Sequence, residues 1–205
     1  MTLARADSAT AHPRWAKHRR FLGLTLALLT IASSAVPENV PSQPKTSEYQ
    51  IKAAYLLSFA KFVKWPVDSP AARGSDFEIC VLGEDPFGGN LDAAVSGKKL
   101  DGLPVAVRQL IDVAESKTCR VIFISRSEEA HLAALLVALG PSESLTVSDI
   151  PRFSQLGGMI EFVPEGSRVR FGINLDSARH SRLHVSSQLL KIATQVISSR
   201  RAGPS

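Results

Sequence analysis

At 205 residues, with 44% hydrophobic and 6% aromatic side chains, the chain is long enough for one ordinary core and too short for two large domains. Its net charge of +5 and isoelectric point near 9.5 point at first to nucleic acid or a membrane surface. The location of the charge excludes that reading. Arg5, Arg14, Lys17, Arg19 and Arg20 fall before residue 36 against a single acid, Asp7, and the rest of the chain is close to neutral.

The basic stretch Arg14 to Arg20, the apolar run Phe21 to Ala32 and the small residues Ser33-Ser34-Ala35 have the three parts of a secretory signal. The apolar run falls short of the roughly 20 residues a spanning helix needs, so cleavage after Ala35 is expected rather than an anchor. No Cys follows the run, which excludes lipoprotein attachment there. On a leader of bacterial length the destination is the periplasm. The expected layout is a signal peptide over 1–35, a Pro-rich tether over 36–47, a folded domain over 48–199 and a disordered tail over 200–205. Cys80 and Cys119 would then sit where disulfides persist, and pairing is the simple expectation. Two separate buried thiols are the alternative. Their spacing is not CxxC, so neither a redox-active pair nor a zinc ribbon is indicated.

In chain order, Ser47 is a candidate N-cap for a helix in which Ile51, Ala54, Tyr55, Phe59, Phe62 and Val63 recur at helical spacing. Gln50, Lys52, Ser58, Lys61 and Lys64 supply its polar positions. That aromatic stripe reads as core before it reads as a ligand box. Trp65-Pro66 ends the helix. A buried strand, Phe77 to Leu82, runs into Gly83-Glu84-Asp85-Pro86-Phe87-Gly88-Gly89 and a short helix to Val95. The order resembles a phosphate loop, but the terminal lysine and hydroxyl are missing and Glu84 and Asp85 would repel an anion. Asp85 as N-cap with Pro86 in the first turn accounts for the segment.

Further strands are expected at Val105–Leu110, at Cys119–Ser125 with the unbroken apolar run of a sheet centre, and at Leu145–Val147. Between the last two, Ser127-Glu128-Glu129 opens a helix carrying Leu132, Leu135, Leu136 and Leu139, stopped by Gly140-Pro141. A brief helical turn is expected from Asp149 toward Leu156. Gly157 to Asn174 alternates strictly, as a hairpin does: Ile160, Phe162, Val169, Phe171 and Ile173 on one face, Glu161, Arg168 and Arg170 on the other. A four-residue loop, Pro164 to Ser167, would pair Val163 with Arg168, Phe162 with Val169, Glu161 with Arg170 and Ile160 with Phe171. A terminal helix is expected from about Val185 to Ser199. The fold class is therefore α/β: a single layered domain with a mixed, mostly parallel sheet of about six strands flanked by helices, ending in a β-hairpin and a terminal helix.

No pattern identifies an enzyme. His180 and His184 lie at i, i+4 without the glutamate of HExxH or a further ligand, and no GxSxG elbow is present. Adjacent Glu128 and Glu129 suit a helix N-terminus better than an acid/base couple. Basic stretches interleaved with aromatics do not occur after the leader, so no nucleic-acid partner is expected. The residues alone indicate an exported α/β binding or interaction domain without catalytic, cofactor or metal residues.

Four segments, in order, resemble the YfiR family of periplasmic proteins: EYQIKAAYLLSFAKFVKWP, FEICVLGEDPFGGNLDAAVSGK, SDIPRFSQLGGMIEFV and VRFGINLDSARHSRLHVSSQLLKIATQV. They cover about Glu48 to Val196. The resemblance implies a mixed sheet flanked by helices, a homodimer, and regulation by binding. Its members hold down a membrane diguanylate cyclase of the YfiN type from the periplasmic side, lowering cyclic-di-GMP and biofilm formation, and an outer-membrane lipoprotein that sequesters the inhibitor is a further implied partner. Cys80 and Cys119 match the positions of a family disulfide. The second cysteine pair of some members is absent around Ser154 to Gly158. Leu183, Leu189 and Leu190 are the expected apolar carriers of the partner contact. The alternative is a periplasmic small-molecule binding module using the Gly83 to Gly89 loop at a strand end.

Overall fold

The computed structural model describes residues 45–199; the signal peptide, its cleavage after Ala35, the tether up to residue 44 and the tail 200–205 lie outside the described residues. Helix α1 (Lys45–Phe62) begins before Ser47 and is followed by β1 (Val63–Lys64), a 3₁₀ turn at Pro70–Arg73, β2 (Phe77–Leu82), α2 (Gly89–Val95), β3 (Lys99–Leu100) and β4 (Leu103–Leu110). A 3₁₀ stretch, Val113–Thr118, leads to β5 (Cys119–Ile124). Another, Arg126–His131, precedes α3 (Leu132–Leu139), β6 (Leu145–Ser148), β7 (Ile160–Glu165) and β8 (Arg168–Asn174). The chain continues through α4 (Leu175–His180), β9 (His184–Val185), α5 (Ser187–Ile192) and β10 (Gln195–Ile197).

One sheet has eight strands in the order β10-β8-β7-β6-β5-β2-β4-β3, and β1 pairs with β9 as a separate antiparallel ribbon. The expected class is correct and the expected count of about six strands is not, because the short edge strands β3 and β10 carry too few residues to show a period. Five of the seven pairings are parallel; only β7 with β8 and β3 with β4 run antiparallel. The central strands are mostly apolar because both of their faces are covered. Ile79, Val81, Val121 and Phe123 join the core beneath α1 and α2, while Cys80, Leu82, Ile122 and Ile124 join the core beneath α3.

Cys80 and Cys119 form a disulfide across β2 and β5, with Cα atoms 5.9 Å apart. It lies on the α3 face. Beside it the pairing slips: Glu78 opposes Cys119 but Ile79 opposes Val121, so Arg120 is an extra residue in β5. The bulge turns its side chain inward, where Nε donates to the Ala71 carbonyl at 3.3 Å and the guanidinium lies 5.0 Å from the Phe77 ring centroid. Burial lowers the Arg120 pKa, partly opposed by Asp101.

The hairpin keeps the expected faces and shifts register by two. Phe162 pairs with Phe171, Val163 with Arg170 and Glu165 with Arg168, closing a two-residue turn at Gly166-Ser167 rather than a four-residue loop. Gly166 at φ +59 supplies the positive φ that such a tight turn demands at its first position. Glu161 and Arg170 stay on one face but do not pair. Arg170 bonds Glu165 at 2.9 Å, and Glu161 instead accepts from Arg152 N, Ser154 N and Ser154 Oγ, pinning the consecutive turns found where a brief helical turn was expected. A Cβ at position 158 would overlap the Phe153 ring, which explains a glycine there.

The terminal helix is also corrected. It stops at Ile192, and Gln195–Ile197 forms β10, parallel to β8, instead of continuing to Ser199. Thr194 bonds the Phe171 carbonyl through both N and Oγ1, and this competing sheet partner wins over local helical pattern. His180 closes α4 and His184 lies in β9, so the two histidines do not share a helical face.

Replacing both cysteines, Cys80→Ser with Cys119→Ser, removes a crosslink of sequence separation 39. The expected loss of unfolding free energy is about 4 kcal/mol by the chain-entropy estimate, measured as a lower urea midpoint against the oxidised protein.

Candidate functional site

The chain leaves β2 for β4 on one side and reaches β5 on the other, so the loops after β2 and β5 part at the carboxyl ends of neighbouring parallel strands. Open α/β sheets bind ligands in the crevice such a parting leaves. Here the crevice is roofed by the first turns of α1 and bounded by the β7–β8 tip. One cavity of about 150 Å³ is lined by Ile51, Lys52, Arg126, Asp149, Phe162 and Arg168, among others. Glu48, Arg126 and Asp149 also face an open groove whose far wall is Pro86 to Asn90.

The wall between these spaces is a buried ionic cluster. Lys52 is 3% exposed and Asp149 4% exposed, and their Nζ and Oδ2 atoms lie 2.6 Å apart. Glu48, one turn earlier on α1, takes a second proton of Lys52 at 2.6 Å. Tyr49 donates its hydroxyl to the same Asp149 Oδ2 at 2.8 Å. Lys52 Nζ sits 4.3 Å from the Tyr49 ring centroid, and Tyr49 packs edge-on against Phe87, itself against Phe123. Arg126, just past β5, donates to the Asp149 backbone carbonyl at 2.7 Å. Two strand-end loops and one helix thus meet at Asp149, and the loop after β2 reaches them through Phe87 and Tyr49.

The Tyr49 phenol is pushed well above its ordinary range, first by burial, then by its hydrogen bond to Asp149 and by the Asp149 and Glu48 charges, with Arg126 opposing. It remains a donor to Asp149 and is no base at working pH. Asp149 Oδ1 is buried with no hydrogen-bond partner among the described residues, which is unusual for a carboxylate oxygen. The arrangement is suited to holding a polar or charged group against an apolar wall.

The residues singled out from sequence lie elsewhere. Leu183 and Leu189 are each 1% exposed and belong to the core beneath α1; Leu190 is half-buried. Core packing of the segment after α4 claims the first two, and its exposed apolar residues are Ile192 and Val196. The Gly83–Gly89 loop does reach the groove through Pro86 to Gly89; Asp85 Oδ1 accepts from Phe87 N at 2.8 Å, but in a turn ahead of α2, whose N-cap is Gly88 rather than Asp85. Among the described residues the one group of ligand atoms close enough for a metal is Glu78, Cys80 and Cys119, whose sulfurs are joined to each other. Lys52 and Asp149 were missed. Apolar residues run round most of α1, so its buried face is ambiguous; the structure turns Lys52 and Ala53 inward and leaves Ile51 and Ala54 outside. The available signal was position, since Arg126 and Asp149 directly follow apolar strands.

Asp149→Ala leaves the buried Lys52 ammonium only the half-exposed Glu48 as counter-charge and is expected to cost about 3 kcal/mol, whereas Lys52→Met with Asp149→Leu together should cost less; urea unfolding of both variants separates charge from packing. Folding raises the Tyr49 pKa, so that residue's contribution to stability is complete below its unfolded value of about 10 and is lost progressively as pH rises from there toward the raised folded value. Wild type should therefore lose stability more steeply than Tyr49→Phe between about pH 9 and 11 in paired thermal melts.

Comparison with known proteins places these features in context. The fold matches an ABC domain from Streptococcus pneumoniae solved in complex with L-Trp, at a TM-score of 0.51 and 13% identity, covering 71% of this chain and 60% of that one. It also matches a conserved domain protein from Vibrio cholerae O1 biovar eltor, at 0.50 and 10% identity, covering 72% and 60%. The chain thus spans about 60% of the length of each, and at these identities the likeness is one of fold. A family model described as YfiR/HmsC-like (DUF4154) matches residues 49–194, taking in the cluster on α1, the disulfide, the hairpin and α5, and the chain belongs to that family.

Proposed function

We propose that this protein is an exported, non-catalytic regulator that binds the periplasmic sensor domain of a YfiN-type membrane diguanylate cyclase and lowers cyclic-di-GMP. The observation that carries this reading is the family match over residues 49–194. Two further features support it. The leader carries the basic, apolar and small-residue order of a signal peptide, and no described helix is long and apolar enough to cross a membrane. The Cys80–Cys119 disulfide suits an oxidising compartment.

The contact surface is reassigned from Leu183 and Leu189, which are committed to the core, to the neighbouring Leu190, Ile192 and Val196. These lie on α5 and on β10, the open edge of the sheet, where a partner can gain apolar contact and strand pairing together. A homodimer and capture by an outer-membrane lipoprotein belong to the same proposal. Binding of a small molecule is the second reading, favoured by the crevice at the strand ends.

Co-expression with the cyclase should lower cyclic-di-GMP relative to cyclase alone, and the double variant Ile192→Glu/Val196→Glu should relieve the repression while leaving the melting temperature nearly unchanged. Equal cyclic-di-GMP with and without the protein would sink the cyclase reading.

A further inference from the structure

The cavity between α1, the ends of β5 and β6 and the β7–β8 tip holds more than its internal ion pairs require. Lys52 is shared by two carboxylates, Glu48 and Asp149, so one negative charge is left over among the three. Arg126 and Arg168 line the same cavity and neither has a carboxylate oxygen within 4.0 Å among the described residues. Arg126 spends one donor on the Asp149 carbonyl, and a guanidinium has five. Opposite them the wall is apolar: Ile51, Phe162 and Val169. The remaining polar feature is the reverse of a cation, the buried and unpartnered Oδ1 of Asp149.

We infer that this cavity binds a small organic carboxylate, its charge on the Arg126 and Arg168 guanidinia, its apolar body against Phe162, and a hydroxyl or amine donor meeting Asp149 Oδ1. The occupant is monoanionic and partly apolar. A bare inorganic anion would leave the apolar wall in water, and an organic cation would face two unpaired guanidinia. A volume of about 150 Å³ holds a six-membered ring. Asp149 lines this cavity, and its buried Oδ1 without a donor is the observation independent of surface charge, since the large majority of buried polar atoms have a partner. This site goes beyond the cyclase reading and does not depend on it.

The test uses the full chain with four probes sharing one ring: 3-hydroxybenzoate, benzoate, 3-hydroxybenzyl alcohol and benzylammonium. By titration calorimetry 3-hydroxybenzoate should bind saturably, tighter than benzoate, and the neutral alcohol more weakly than either. Arg126→Ala, at an exposed side chain whose loss leaves the core intact, should weaken 3-hydroxybenzoate by about tenfold or more, the worth of a charge-assisted contact. Arg73→Ala, an exposed arginine outside the cavity, should leave the affinity unchanged. Asp149→Asn, if it folds, should erase the advantage of the hydroxyl. No saturable binding of either carboxylate up to about 10 mM, equal affinity in the Arg126→Ala protein, or preference for benzylammonium would each overturn the proposal.

Discussion

Everything in this molecule depends on burying β2 and β5 on both faces. Their side chains are apolar but for one charged residue in each strand, so one set of helices must cover each face, and no polar group can be placed mid-strand without a partner. Glu78 is met by Arg108 and Thr118, and Arg120 needs an extra residue in the strand, a backbone carbonyl and an aromatic face to be accommodated. Polar chemistry is thereby confined to the strand ends. At the carboxyl ends it is concentrated into one cluster, around Asp149.

The two faces carry different devices. The α3 face is tied covalently by Cys80 and Cys119, which join the central pair of strands, whereas the α1 face is tied by the Lys52–Asp149 ion pair and by aromatic packing of Tyr55 and Phe59 on Phe162 and Phe171. A covalent tie is indifferent to ligand and partner. An ion pair beside an open cavity is not, which makes the α1 face the one able to respond to what binds. The C-terminal segment returns to the same face: Ser186 N bonds the Phe62 carbonyl at 2.8 Å, and β9 pairs with β1 at the end of α1.

How legible this was in the sequence depended on whether a feature is local. Central strands were readable because two-sided burial writes an unbroken apolar run, and the hairpin faces because a period of two is hard to mistake. Its register slipped by two, since a shift by an even number preserves the faces and alternation cannot detect it. Gln195 to Ile197 looked helical because the preceding turn is helical; its strand state comes from β8, more than twenty residues earlier. Lys52 was read as a polar position of the helix from its type. Its burial is compensated by Asp149, and no local pattern carries a partnership across that span. The surface leucines were misplaced for the converse reason: Leu183 and Leu189 are apolar as surface contacts are, and only packing decides.

The Lys52–Asp149 contact joins residues 97 apart in sequence, and the Tyr49–Asp149 contact residues 100 apart. A loop of that length closes late, after the strands between have found one another. The first of the described helices is therefore among the last of the described elements expected to be fixed in place. A contact that forms after the transition state slows unfolding far more than it speeds folding. By this argument the cluster beside the crevice is a kinetic latch: it bears on how long the domain stays folded more than on how quickly it folds.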